Sequence, residues 1–480
     1  MNRNKVTGIF LLIVAFSLFF AAHAFGASLT WNNAGGDGSW HNSANWSPEQ
    51  LPAAGDDVTI PAGETANYST GTSDLNSFTV SGTLNITGGA LNSSADSTVA
   101  EGGTIAFSAG TLGGSGSVTI SGTFNWNGGS VSVTNGFFTT GTTTLSGTSD
   151  KILSNNSTWT NSGTVDWMSG DFNLSGTFAI FNNNGIFNIV TTYYKDYIES
   201  TGTFNNNSGG FLNKPGDGII TILSAAFTNA GTVDLDDGTL KFSGCNTTSM
   251  TGKYDIASPG ILEFYNLTHN IETVSPVAAG SDGTLKITIA TVNFNISDTS
   301  LPDTLTVNQT GGYISGTGSV TLEGAYDWSA GTVSITTGLT TAGTTTLSGT
   351  SDKLLSNNTT WTNTGTVDWM SSDLRLNGTL AIFNNNGIFN IVTIDGMDFI
   401  EGTGTFNNNS EAFLNKPNSG VISIRPTAFT NAGTVDVDDG TLNFYNCITT
   451  SMTGNYNITS PGILDLNTST HNIGTASPVA

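Results

Sequence analysis

Glycine marks a rhythm along this chain. It recurs at Gly82, Gly103, Gly122, Gly141, Gly163, Gly185, Gly209, Gly231 and Gly252, with spacings of 21, 19, 19, 22, 22, 24, 22 and 21 residues. Two and four residues after nearly every marker the chain is apolar: Leu84 and Ile86, Ile105 and Phe107, Phe124 and Trp126, Val165 and Trp167, Phe187 and Ile189, Val233 and Leu235, Tyr254 and Ile256. Four residues before many markers stands another large apolar group, among them Phe78, Val118, Phe137, Trp159, Phe181 and Phe227, with Phe204 one place out of step. Alternation with period two is the signature of a strand with one buried face. Strand, turn and strand repeating every ~21 residues fit one coil of a parallel β-solenoid, in which like residues stack into columns. The expected fold is therefore all-β, a parallel β-helix, right-handed by the general hand of parallel crossovers. A string of β-sandwich domains needs antiparallel hairpins of irregular length and would not return a marker so regularly. Low-complexity disorder is countered by the aromatic and β-branched content and its regular placement.

A longer repeat contains the short one. Residues 141–191 and 343–393 align without a gap at an offset of 202 and match at 43 of 51 positions. From Gly110 against Gly312 the copies stay in step to Ala278 against Ala480. Duplication without change of length points to a stackable shape. Residues 76–282 and 283–480 are read as the two long repeats. The chain stops within the motif that continues past Ala278 in the first copy, so truncation is expected.

Residues 1–24 read as a secretory signal peptide. Arg3 and Lys5 precede the apolar run from Ile9 to Phe20, and cleavage is expected after Ala24 in Ala22-His23-Ala24. That run is too short to span a membrane and no later one approaches the required length. The mature chain is thus expected to be secreted, extracellular or at a cell surface, with no transmembrane segment. Removing the signal leaves 10 basic residues against 36 acidic ones. So anionic a surface argues against nucleic acid or anionic lipid as partners.

Residues 25–75 break the rhythm and are read as an N-terminal cap covering the first coil. Their landmarks are Trp31-Asn32-Asn33-Ala34-Gly35-Gly36-Asp37-Gly38-Ser39-Trp40, then Asn45-Trp46, Leu51-Pro52 and Asp56-Asp57-Val58-Thr59-Ile60. This segment, with coil phrases such as Phe227-Thr228-Asn229-Ala230-Gly231-Thr232-Val233, resembles large secreted repetitive β-helix proteins of bacteria, the autotransporter-passenger-like and haemagglutinin-like adhesins. The resemblance covers essentially the whole mature chain. It implies a right-handed β-helix and a non-catalytic role as adhesin or rigid stalk, with surface glycans or proteins as partners. The alternative is a carbohydrate-binding or polysaccharide-degrading β-helix.

Enzymes of that kind need acids and bases gathered in one place. The densest carboxylates are Asp234, Asp236 and Asp237, repeated as Asp436, Asp438 and Asp439. They read as a solvated strand face and an Asp-Gly turn, or else as calcium ligands. No other cofactor is expected, and no catalytic residue is assigned. The two mature arginines, Arg375 and Arg425, face Asn173 and Leu223 in the first copy. His269 and His471 read as turn residues, and Lys151, Lys353, Lys214 and Lys416 as turn or loop residues. Asn-rich runs such as Asn182-Asn183-Asn184 and Asn205-Asn206-Asn207 read as corners tolerant of left-handed backbone.

Register sends Trp126, Trp167, Trp328, Trp369, Trp159 and Trp361 inward. Trp31, Trp40 and Trp46 either pack the cap or stack on a glycan. Cys245 and Cys447, roughly 45 Å apart on a solenoid rising ~4.8 Å per coil, cannot pair with one another. They read as buried thiols or as a cross-link between chains. The copies diverge most at 192–201 against 394–403 and at 216–226 against 418–428, where binding specificity is expected.

Overall fold

The computed structural model describes residues 26–473 apart from 155, 357, 427 and 468–470; the expected signal peptide and the chain end lie outside them. The chain is a parallel β-solenoid of about 18 turns, or roughly 85 Å of rod at the usual spacing between strands. Three strands make a turn. Thr158–Asn161, Thr164–Trp167 and Phe172–Leu174 form one coil, and each pairs in parallel with its counterpart in the next coil: Thr158↔Ile180, Thr164↔Ile186 and Phe172↔Ile198. Alternate residues point inward, as the period of two requires. The marker columns are fully buried: Phe124, Trp126, Val165, Trp167, Phe187 and Ile189 on one face, with Phe137, Trp159, Phe181, Phe204 and Phe227 on another. Aromatic rings pack edge to face up the interior, Trp159 against Phe181 at 4.6 Å and Phe181 against Phe204 at 4.8 Å between centroids.

Close approach explains the glycine markers. A Cβ on Gly163 would stand 2.1 Å from the carbonyl oxygen of Gly141 one coil below, and one on Gly185 2.2 Å from that of Gly163. Only hydrogen fits at this corner. The column passes through Gly210, since the Cβ position of Gly231 meets the Gly210 oxygen at 2.2 Å. Gly209, marked in the sequence, instead adopts φ +84° in the turn just before it.

Moving the marker to Gly210 puts Leu212 and Lys214 in the two inward positions, and Lys214 is indeed buried, paired with Leu235. Lys151, Lys353 and Lys416 are buried likewise. These lysines are core residues, not the loop residues expected. His269 is also corrected: it is buried within the strand Thr268–Ile271, its ring 4.5 Å from that of Phe264.

The asparagines correct a third expectation. Asn183 and Asn206 are fully buried strand residues, absent from the left-handed positions of the chain. Their amides form a ladder along the axis. Asn161 Nδ2 donates to Asn183 Oδ1 (3.0 Å), Asn183 to Asn206 (2.9 Å) and Asn206 to Asn229 (2.9 Å). The second copy repeats it through Asn363, Asn385, Asn408 and Asn431. Each amide also donates to a corner carbonyl, as Asn206 does to Thr232 O at 3.0 Å. A buried amide is tolerated because both its ends are satisfied.

The strand Ser28–Trp31 opens the described chain, pairing antiparallel with Trp46–Ser47 and parallel with Asp57–Ile60. Asp57–Ile60 already pairs with Ser77–Val80, and Thr65–Tyr68 with Thr83–Ile86. Parallel pairing thus reaches back to Ser28, within the stretch of sequence that breaks the rhythm.

The stack continues through the boundary between the long repeats, Ile261–Phe264 pairing with Thr284–Ile287. It does so with a rotation. Thr164–Trp167 lies on the face that runs up to Lys253–Ile256. Its duplicate Thr366–Trp369 lies on the line of Thr239–Phe242, Ile261–Phe264, Thr284–Ile287 and Thr306–Gln309, which is the next face round. The 202-residue unit therefore spans nine and one third turns, and the second copy is set one face on from the first.

Candidate functional site

The exposed segment 192–195 emerges between the strand Ile186–Ile189 and the strand Tyr197–Asn206. It is anchored by buried groups. Thr191 Oγ1 donates to Asp196 Oδ2 (2.5 Å) and accepts from Tyr193 N (3.2 Å), while Asp196 N donates to Tyr193 O (2.9 Å). Beside them, Asp171 Oδ1 accepts from Tyr197 N at 2.9 Å. Beneath lies Lys151, whose ammonium donates to Gly147 O (3.0 Å) and to Ser169 O. Burial lowers the Lys151 pKa to about 8, against the pull of Asp196, Asp150 and Asp171.

The second copy keeps this frame. Thr393 Oγ1 donates to Asp398 Oδ2 (2.5 Å), Asp373 Oδ1 accepts from Phe399 N (2.8 Å), and Lys353 Nζ donates to Ser371 O (2.7 Å). Burial lowers Lys353 to about 8 as well. What changes is the tip. Tyr193, Tyr194 and Lys195 stand where the second copy has Asp395, Gly396 and Met397. Tyr193 and Tyr194 are more than half exposed, with ring centroids 5.3 Å apart and the Lys195 ammonium over Tyr194. Ile394 and Met397 are 61% and 76% exposed, and Ile394 borders a groove of about 420 Å³ lined also by Met370, Val392, Thr393, Asp395 and Asp398. Exposed apolar groups on a frame of buried hydrogen bonds are what a recognition loop requires.

The rest of the divergent stretches has a different character. Residues 197–206 and 219–229 are long strands of the solenoid, with Ile198, Ile220 and Ile222 in the core. Divergence in those strands trades one core or strand residue for another, whereas residues 216–218 form the turn that precedes the second of them.

The acid-rich turns are not assembled as a ligand set. Asp236 and Asp438 are exposed, while Asp237 and Asp439 each accept from the following glycine N–H at 2.6 Å. Burial first, and then Asp236 and Asp255, raise the Asp234 pKa; burial and Asp438 raise that of Asp436. Among the described residues no group of three or more His, Cys, Asp or Glu is placed to hold a metal ion. The cation at these turns belongs to the protein: Lys214 Nζ donates to Gly216 O, to Asp217 O (3.0 Å) and to Asp237 O (3.1 Å).

Trp31, Trp40 and Trp46 are each 1% exposed and pack edge to face, Trp31–Trp46 at 5.0 Å and Trp40–Trp46 at 4.8 Å. Burial withdraws these rings from stacking on a glycan. Cys245 and Cys447 are buried and joined in no disulfide, out of reach of a cross-link between chains, and burial pushes Cys245 up to about 12.

No helix among the described residues is long and apolar enough to cross a membrane. Searches against protein-family models, curated proteins and solved structures return no match for this chain.

Proposed function

We propose that the chain is a secreted or cell-surface rod that acts without catalysis, as an adhesin or a stalk, presenting its loop tips to surface glycans or proteins. One observation carries this reading. The frame of Thr191, Asp196, Asp171 and Lys151 is repeated as Thr393, Asp398, Asp373 and Lys353, while the tips it carries differ at every position from 192 to 195. Holding a frame fixed while changing its tip is the pattern of display, since a solvated tip can vary without cost to packing. The rod supplies reach and stiffness, because each coil bonds to its neighbours along three strands.

The test is retention. Purified protein is passed over arrays of glycans and of cell-surface proteins, beside a variant in which Tyr193, Tyr194 and Lys195 become Gly-Ser-Gly. Binding by the native chain, weakened in the variant while its melting temperature is kept, supports the reading. Release of reducing ends or unsaturated uronates from a polysaccharide by the native chain would replace it with the enzymatic alternative.

A further inference from the structure

Next to the display frame the two copies differ by one charge. In the second, Arg375 lies among three carboxylates: Asp352 Oδ2 at 2.9 Å from Nε, Glu401 Oε1 at 3.3 Å from Nε, and Asp373 Oδ2 at 3.1 Å from Nη2. The first copy has the same acids, Asp150, Asp171 and Glu199, at the same positions of the coil, but Asn173 in place of the arginine. Strand register is also the same. Asn173 pairs with Ile152 below and Glu199 above, as Arg375 does with Leu354 and Glu401.

Three carboxylates without their guanidinium leave visible traces. Asp150 is exposed where its duplicate is half-covered, and Asp171 opens where Asp373 is buried. Burial, followed by the neighbouring acids, raises the pKa of both Asp171 and Glu199. Asn173 Nδ2 donates to Glu199 Oε1 at 3.2 Å, but its Oδ1 has no hydrogen-bond partner although it is shielded from solvent. An amide supplies two donors where a guanidinium supplies five, so acceptors remain for a donor from outside.

We propose that Asp150, Asp171 and Glu199 form an acceptor site for an arginine side chain of a basic partner, filling the place that Arg375 fills in the second copy. Guanidinium is favoured over a metal ion because the second copy shows these acids spaced around a guanidinium, and no described cluster has metal-ligand spacing. The chain's formal charge of −24 favours a cationic partner on approach. The site adjoins the tip 192–195 and so names a partner class for the display reading, on which it rests only for the partner being a macromolecule.

The test exchanges the two copies' residues. The probe is the peptide acetyl-Gly-Arg-Gly-amide, titrated at physiological ionic strength and followed by NMR, with affinity expected on the order of millimolar for a half-exposed ion pair. The native chain should bind one equivalent, Asn173→Arg none, and Arg375→Asn two. If Arg375→Asn does not fold, the pair of native chain and Asn173→Arg decides alone. No peptide binding by the native chain, or binding unchanged in Asn173→Arg, overturns the proposal. Calcium stabilisation of the native chain that is lost in Asn173→Arg, without peptide binding, overturns it in favour of a metal site. Because the peptide reads the site itself, these outcomes are independent of whether the arrays retain the rod.

Discussion

The ammonium of Lys214 reaches the main-chain oxygen of Asp237 one coil above, at 3.1 Å, and so ties two turns together from inside the solenoid. Lys416 makes the same tie to Asp439 at 3.3 Å. A buried charge costs free energy unless its donors are satisfied, and here carbonyls of two successive turns satisfy them. Lys214→Met should therefore destabilise the chain by about 2–4 kcal/mol in urea unfolding, since the carbonyls lose a charged donor and gain none. Calcium should leave the melting temperature of these turns unchanged. A rise abolished by changing Asp234, Asp236, Asp237, Asp436, Asp438 and Asp439 to Asn would return them to cation binding.

The asparagine ladder gives a second prediction. Asn206→Ala removes the acceptor of Asn183 and the donor to Asn229 and Thr232 O, the first two in the buried interior. The expected cost is about 2–4 kcal/mol. Its neighbour Asn205 bonds to Asn182 on the outer side of the same strand, and Asn205→Ala should cost under ~0.5 kcal/mol. Equal losses would mean that the inward amides contribute no more than the outward ones.

These two cases show where the sequence was legible. Apolar columns could be placed because Phe187 and Ile189 carry their orientation in their hydrophobicity. Asn183, Asn206 and Lys214 sit in inward positions too, yet their polarity points outward when read alone; only stacked partners a coil away make burial affordable. Register offered a usable signal, because shifting the marker from Gly209 to Gly210 puts Lys214 in line with Leu235. The clamp of Thr191 on Asp196 could not be foreseen from spacing, and neither could the Arg375 cluster, in which Asp352 and Glu401 come from the coils below and above. The divergent tip itself was evident as divergence, although its extent was overstated by the adjoining strands.

His269 makes stability depend on acid. Burial holds its pKa at about 4, against an ordinary 6.5. Between those values the unfolded chain binds a proton that the native chain refuses, so this contribution is present above pH 6.5 and is lost as pH falls towards 4. The loss amounts to at most ~3 kcal/mol. His269→Phe should flatten the pH dependence of stability in that window, measured by urea unfolding. Asp171 and Glu199 act in the opposite sense: their raised pKa values mean stability falls as pH rises through the carboxylate range. An unaltered slope in His269→Phe would show that the imidazole titrates freely.

Limited proteolysis tests the exposure of segment 192–195. Lys195 is exposed on segment 192–195, whereas Lys151, Lys214, Lys353 and Lys416 are buried with their ammonium groups occupied. Trypsin acting on the folded chain should cut first after Lys195, leaving the solenoid otherwise intact. The second copy has Met397 there and should be spared at that loop. First cleavage after Lys151 or Lys214 would mean that their coils open more readily than the tip.

The rotation between copies bears on the proposed display role, since it sets how the two tips would meet a partner. Nine and one third turns place equivalent residues ~45 Å apart along the axis. The extra third moves the second tip to the next face, so the two cannot both lie against one flat surface that the rod lies along. Spin labels on cysteines introduced at Tyr194 and Gly396 should report a separation longer than that axial rise, by a transverse component comparable to the rod's width. The native thiols would not interfere, being buried. Excising one complete 202-residue unit should give a folded rod shortened by ~45 Å in X-ray scattering, because each strand still finds the chemistry of its own column below it. A label separation equal to the axial rise alone would place both tips on one face and refute the rotation.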